Sequence, residues 1–224
     1  MDIEVTTKDC TSLTDSEIAE MSDLCTSYEN GFDIGFLSKQ CEEWVLISQA
    51  RQEEELVGFS FCSLERIGGT PALLIGLAFV GPSNQLSIFK SLIADQYKRV
   101  ILAFPDEDVL VGIRLGGPGG FLAFEGLQEI IPRKDHKPTG EERAWGRRLA
   151  KRFGSEGDID DRSFVIKGNG NLCGFLDLPK IQDKELPAGV EEFFTTLDTT
   201  RGDSLVVFGW AMAEDLAEGK LSYF

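Results

Sequence analysis

Histidine and closely paired cysteines are what this sequence of 224 residues most clearly lacks. It contains one histidine, His136, and five cysteines that nowhere form a Cys-x-x-Cys pair. An odd number of widely spaced cysteines argues against both a disulfide framework and a structural zinc site. A single histidine argues against a metal site built on imidazoles. We expect buried, unreactive thiols at Cys10, Cys25, Cys41, Cys62 and Cys173.

Long apolar segments are also missing. The longest apolar run, Pro71–Val80, is about half of what a bilayer crossing needs. Residues Met1–Lys8 show no basic start followed by an apolar stretch, which a secretory signal would have. The sequence therefore predicts a cytoplasmic protein.

Basic residues are scarce relative to acidic ones. The sequence has 22 lysines and arginines against 38 aspartates and glutamates, a formal net charge of −16. Such an acidic chain is a poor match for nucleic acid or an anionic membrane, so we expect neither as a partner. The content of 42% apolar and 27% charged residues is ordinary for a globular protein.

Periodicity predicts an α/β arrangement in the first part of the chain. The capping box Thr14–Glu17 predicts the start of a helix, in which Ile18, Met21, Cys25 and Tyr28 share one face. A second short helix is expected over Asp33–Cys41. A first strand (Ile3–Thr6) and an antiparallel meander are also predicted, the latter with strands at Trp44–Arg51, Leu56–Arg66 and Ala72–Val80.

After Pro82 the apolar period changes to that of a helix, which we expect to reach Arg99. Val100–Phe104 then reads as a short buried strand, which would pair in parallel with Ala72–Val80. A further helix over Asp106–Leu115 and a returning strand over Phe121–Ile131 complete the predicted core.

The C-terminal part reads as a mixed extension. A second capping box at Thr139–Glu142 predicts a helix reaching Phe153. A hairpin is expected over Ser163–Asp177 and a helix over Val190–Leu197, whereas Ser204–Leu216 fits strand or helix equally. We therefore predict a core over residues 1–132 and an α+β extension over 133–224 packed on the same domain.

The order of these elements resembles that of the GNAT acetyltransferases, over about Met1–Ile131. Two short patterns support the resemblance: Val80-Gly81-Pro82 leaves the fourth strand, and Gly120-Phe121 opens the strand after the last core helix. The resemblance implies an α/β fold with a mixed, mostly antiparallel central sheet flanked by helices, here followed by the C-terminal α+β extension.

The resemblance also implies a cofactor site at the start of the helix after the fourth strand. There the family binds the pyrophosphate of acetyl-CoA with a Gln/Arg-x-x-Gly-x-Gly/Ala loop, whose glycines let the phosphates approach the helix amides. Aligned from Val80, Gln85 fits the first position, but Ile88 and Lys90 stand where the small residues belong. Val80, Gln85 and Lys90 are the candidate contacts for acetyl-CoA or another acyl-CoA.

The family's catalytic groups are depleted as well. The resemblance implies a carboxylate base near the central strands and a tyrosine on the last core helix. Leu73–Val80 contains no titratable residue and Asp106–Leu115 contains no tyrosine, while Tyr97 lies on the preceding helix. Glu65 is the nearest candidate base, with a solvated residue beside a hairpin turn as the alternative.

Two functions stay open at this point. One is an acetyltransferase-like protein with an eroded acetyl-CoA site, which acts by binding or interaction rather than as an efficient enzyme. The other is a divergent CoA-dependent N-acyltransferase acting on a small amine or a protein amine.

Arg133–Arg152 is a basic segment within this acidic chain, with eight basic and three acidic residues. Arg143, Arg147 and Lys151 follow one another at steps of four, which places them on one helix face. They are candidates for binding an anionic small molecule, the nucleotide part of a CoA or an acidic partner. The alternative is a solvated face that pairs with acidic groups of its own chain or of a second subunit in a homodimer.

Overall fold

The computed structural model describes residues 2–26, 31–170 and 186–221. Tyr28 and Cys173 lie outside these ranges, and so does the second half of the hairpin predicted for Ser163–Asp177. None of the helices in the described part of the chain combines the length and apolar character that a bilayer crossing requires.

The described residues form one mixed sheet of nine strands, with helices on both faces. The strands are β1 (Glu4–Asp9), β2 (Leu46–Gln52), β3 (Glu55–Ile67), β4 (Thr70–Val80), β5 (Val109–Leu115), β6 (Gln128–Ile131), β7 (Ile159–Asp160), β8 (Val165–Ile166) and β9 (Ser204–Ala211). The helices are α1 (Asp15–Cys25), α2 (Ile34–Glu43), α3 (Gln85–Ala103), α4 (Gly140–Arg152) and α5 (Ala213–Ala217). The strand order is β1-β2-β3-β4-β5-β9-β8-β7, with β6 also paired to β9.

The predicted fold class is confirmed: all neighbouring strands run antiparallel except β4 and β5, which are parallel. Both capping boxes are formed as predicted. Thr14 accepts from the Glu17 amide while the Glu17 carboxylate accepts from the Thr14 amide, and Thr139 and Glu142 do the same at α4. These local hydrogen bonds fix where α1 and α4 begin.

Two predictions after β4 were wrong. Val100–Phe104 is not a strand, because α3 continues to Ala103 with Val100 on its buried face. Asp106–Leu115 is not a helix, because Val109–Leu115 forms β5, the parallel partner of β4. β5 is buried on both faces, so its apolar residues show neither a clear helical nor a clear strand period.

The predicted strand over Phe121–Ile131 is also wrong over most of its length. Pro118–Phe124, called here the Phe-rich turn, is a 3-10 helix whose residues from Gly119 to Phe124 are all buried. Only Gln128–Ile131 returns as a strand, β6. In the C-terminal part, Ser204–Leu216 divides into β9 and α5, and the predicted helix over Val190–Leu197 is a 3-10 helix at Val190–Phe194.

The helices divide between the two faces of the sheet. α1 and α2 cover Phe59 and Phe61 of β3, and Arg152 at the end of α4 reaches Glu65 on the same face. On the other face, Gln96 of α3 donates to the Ser60 hydroxyl at 2.9 Å. The Phe-rich turn lies beside α3, with contacts to β5 and β9.

Candidate functional site

The pairing between the parallel strands β4 and β5 stops before either strand ends. Pairing runs from Ala72 with Leu110 to Ile75 with Ile113, while β4 continues to Val80. At this point β4 carries a bulge opposite β3, because the register shifts between Ser60 and Cys62. The carboxyl ends of β4 and β5 are therefore not hydrogen-bonded to each other, and α3 begins at Gln85, shortly after β4 ends at Val80.

The start of α3 brings together the predicted cofactor residues. Val80 and Gln85 are 3% and 7% exposed. The helix is preceded by Asn84 in a left-handed conformation (φ 51°), which gives no side-chain cap. Ile88 is 2% exposed, and a Cβ placed on Gly58 of β3 would lie 2.7 Å from its Cγ2 atom. Ile88 is thus anchored on the sheet at a site where the facing strand has no side chain.

The Phe-rich turn closes against α3. Lys90 Nζ lies 2.9 Å from the Glu125 carboxylate, just after the turn. The Tyr97 hydroxyl donates to the Ala123 carbonyl over 2.8 Å, and its complete burial raises the pKa of this phenol. Because α3 contacts β4 and the Phe-rich turn contacts β5, these two hydrogen bonds link an element that packs on β4 to an element that packs on β5.

Glu65 lies at the opposite end of β4. It faces Ala72 in the β3–β4 register, roughly 26 Å from Val80 at about 3.3 Å per residue. Its carboxylate accepts from Arg152 Nε at 2.8 Å, which ties α4 to β3. The structure therefore does not bring Glu65 together with Val80, Gln85 and Lys90, and its catalytic role stays a prediction.

The candidate anion-binding residues of α4 are mostly engaged within the chain. Arg147 pairs with Asp161, and Lys151 Nζ lies 3.6 Å from the Glu156 carboxylate. Arg143 is half-buried, and its Nε has no hydrogen-bond partner among the described residues. Whether these residues bind an anion stays a prediction.

A cavity of about 240 Å³ lies in the C-terminal half, where the sequence indicated no site. It lies between the end of β6, the segment before α4, the β7–β8 turn and the segment beginning with Val190–Phe194, and it is partly open to solvent. Its lining consists of Ile131, Pro132, Arg133, His136, Pro138, Arg162, Ser163, Phe164, Val165, Glu192, Phe193 and Thr196.

Hydrogen bonds order one wall of this cavity. The Glu142 carboxylate accepts from the Thr139 amide at 2.6 Å and lies 2.8 Å from His136 Nε2. Burial raises the pKa of Glu142, but the bonds from Thr139 and His136 outweigh it, so this pKa lies below its ordinary value. Glu192, another lining residue, accepts a hydrogen bond from Lys134 at 2.5 Å.

The cysteines form no reactive site in the described residues. Cys10, Cys25 and Cys62 are buried as predicted, and burial raises the pKa of their thiols to about 12, 11 and 12 respectively. Cys41 is half-buried. Within the described ranges, no group of three or more histidine, cysteine, aspartate or glutamate residues is placed to hold a metal ion.

Comparison with known proteins adds only distant structural likenesses. No protein-family model and no curated protein sequence matches the chain. An N-acetyltransferase from Staphylococcus aureus Mu50 is 17% identical over 58% of this chain and 84% of its own, with a TM-score of 0.43. An acyl-CoA N-acyltransferase from Pseudomonas aeruginosa is 14% identical over 60% of this chain and 94% of its own, with a TM-score of 0.41.

A ribosomal-protein-alanine N-acetyltransferase from Brucella melitensis biovar Abortus 2308 is 21% identical over 44% of this chain and 73% of its own, with a TM-score of 0.34. The α/β architecture predicted from the sequence is confirmed by the strand pairing of the structure. It consists of a mostly antiparallel sheet, one parallel pair with α3 as its crossover, and helices on both faces.

Proposed function

We propose that this chain is a GNAT-fold protein with an eroded acetyl-CoA site, which acts by binding rather than as an efficient acetyltransferase. The observation that carries the proposal is the arrangement at the start of α3. Ile88 is fixed on Gly58 there, and Lys90 is paired with Glu125.

Electrostatics at this helix start support the proposal. Phosphates bind at helix N-termini because free amides and the helix dipole favour negative charge, and glycines allow close approach. Here Lys90, the one cation within the aligned loop, already has a carboxylate at 2.9 Å. The Glu125 carboxylate also places a negative charge beside Lys90 near the start of α3, where it would repel a pyrophosphate.

The missing catalytic groups support it further. β4 contains no titratable side chain, and Glu65 is bound to Arg152 at the far end of that strand. Tyr97, the tyrosine of α3, is fully buried and bonded to a backbone carbonyl, so it would have to leave the core to donate a proton.

One observation favours the alternative, a divergent CoA-dependent N-acyltransferase acting on a small or protein amine. The β4–β5 pairing stops at Ile75 and Ile113, and Asn84 provides no side-chain cap to α3. An acyl-CoA would then be held through Val80, Gln85 and Lys90, with a base acting through water.

Thermal unfolding with acetyl-CoA and with CoA separates the two functions. A ligand that binds only the folded state stabilises it by about 2.7 kcal/mol at one hundred times its Kd. We expect no saturable rise in Tm up to millimolar concentrations of either ligand. Adenosine 3′,5′-bisphosphate serves as the control for unspecific nucleotide binding.

A saturable rise with acetyl-CoA that Lys90→Gln abolishes would contradict the proposal and support the acyltransferase. Lys98→Gln removes the same charge from an exposed position of the same helix, so it is the matched control.

A further inference from the structure

The cavity in the C-terminal half has no part in the function proposed above. We propose that it binds a small organic anion with an apolar body, of the size of an arylacetic or branched-chain carboxylic acid. The cavity is lined from segments far apart in the sequence, so it exists only in the folded chain.

The volume of the cavity and its buried apolar lining residues suit an apolar group. Ile131, Phe164 and Val165 are 1%, 0% and 8% exposed, and the Phe193 ring adds a further wall. A cavity of about 150 Å³ lined by apolar side chains is enough to bind benzene. At about 240 Å³, this cavity holds a ring or a branched chain together with a carboxylate.

Charges at the cavity select for an anion. Arg133 and Arg162 line it from two separate segments. The carboxylates nearby already have partners, since Glu192 binds Lys134 at 2.5 Å and Glu142 lies 2.8 Å from His136 and 3.8 Å from the Arg133 guanidinium. Among the described residues, no carboxylate forms an ion pair with the Arg162 guanidinium; the carboxylate of Asp160 accepts a hydrogen bond from the Arg162 backbone amide at 2.9 Å, and this bond together with the Arg162 charge lowers the pKa of Asp160. A guanidinium presents two parallel N–H groups that match a carboxylate.

Two features of the surroundings point the same way. Arg133, His136 and Pro138 of the lining belong to the basic segment Arg133–Arg152, so basic side chains lie at the cavity although much of this segment is paired within the chain. Phe164 adopts φ 60° although it is a bulky residue, while its ring packs against Phe208. Strained backbone of this kind is concentrated at ligand sites and is held there by the surrounding packing.

Titration calorimetry on the full chain tests the proposal with four probes: phenylacetate, 4-methylpentanoate, the neutral amide phenylacetamide and inorganic phosphate. We expect saturable binding of at least one acid with a Kd of about 1 mM or tighter, which corresponds to about −4 kcal/mol. The amide and phosphate should bind at least tenfold more weakly, because one lacks the charge and the other lacks the apolar body.

Arg162→Gln is expected to weaken binding of the acid about tenfold or more, since it removes a charge-assisted hydrogen bond. Lys98→Gln, an equal loss of charge on the exposed side of α3, should leave the Kd unchanged. Thr196→Leu, at an exposed lining position, should reduce binding by filling the cavity, and it provides a second variant if Arg162→Gln unfolds.

Three results would overturn the inference: no saturable binding of either acid, equal binding of acid and amide, or equal weakening by Arg162→Gln and Lys98→Gln. None of these results depends on whether CoA binds at the start of α3.

Discussion

Ile88 and Gly58 form a matched pair at the residue scale. The aligned loop lacks the glycine that the family resemblance implies, but the strand facing it has a glycine instead. Because Gly58 has no side chain, the Ile88 Cγ2 atom can lie where it would be only 2.7 Å from a Cβ. The branched side chain is therefore part of the core rather than an exposed obstacle.

The packing of this pair predicts a specific coupling. Gly58→Ala should lower the free energy of unfolding by about 1–3 kcal/mol through overpacking. Ile88→Ala should lower it by about 2–5 kcal/mol through the cavity it leaves. In the double variant the new methyl group occupies part of that cavity, so the loss should fall short of the sum by about 0.5–3 kcal/mol. Urea denaturation of all four proteins measures this coupling.

Gly140→Ala is the control for these substitutions. A Cβ at Gly140, the first residue of α4, meets nothing within 4 Å. This variant should keep or raise stability, by up to about 1 kcal/mol, because alanine favours the helix. Strict additivity of the Gly58 and Ile88 substitutions would show that the two residues do not share this space.

At the scale of elements, local signals were sufficient for the helices that begin with capping boxes. Thr14 with Glu17 and Thr139 with Glu142 specify α1 and α4 within four residues of sequence. β5 could not be recognised in the same way, because it is covered on both faces and its residues show no alternation. Its identity depends on pairing with β4, which is a contact between distant parts of the chain.

The same limit applies to the sites. Gln85 and Lys90 could be placed together from the sequence, since both lie in one helical segment. The partner of Lys90, Glu125, depends on the path of the Phe-rich turn, which the sequence predicted as a strand. Arg133 and Arg162 of the cavity are separated by all of α4, so no spacing rule joins them.

The ion pair between Glu65 and Arg152 is expected to help hold the end of α4 on the sheet. Glu65→Gln and Arg152→Gln should each lower the free energy of unfolding by about 0.5–1 kcal/mol, because the pair is partly exposed. The double variant should lose no more than either single variant, since each one already breaks the bond. Chemical denaturation at pH 7 in low salt is the measurement.

A purely solvated Glu65 would give a different result, in which Glu65→Gln leaves the free energy of unfolding unchanged. Thr70→Ser, a conservative change at the half-buried start of β4, controls for general sensitivity of this end of the sheet.

At the scale of the whole molecule, charge is unevenly distributed. The basic segment Arg133–Arg152 is largely neutralised by acidic groups of the same chain, such as Asp161, Glu156 and Glu65. The acidic excess behind the net charge of −16 therefore lies on the remaining surface. A homodimer or an acidic partner at α4, both predicted from the sequence, would have to displace these pairs or use Arg143, and both stay predictions.

This distribution predicts that salt stabilises the protein. Like charges on the folded surface repel one another, and salt screens that repulsion over a Debye length of about 10 Å at 0.1 M. The internal ion pairs, most of them partly exposed, lose less stabilisation on screening than the surface gains from reduced repulsion.

Raising NaCl from low to physiological concentration at pH 7.5 should therefore increase the free energy of unfolding by about 1 kcal/mol, or the Tm by about 2–4 °C for a chain of this size. Near the isoelectric point of about 4.5 the same addition should have a much smaller effect, because little net charge is left to screen. A fall in Tm with salt at pH 7.5 would mean that ion pairs, rather than surface repulsion, dominate the electrostatics of this fold.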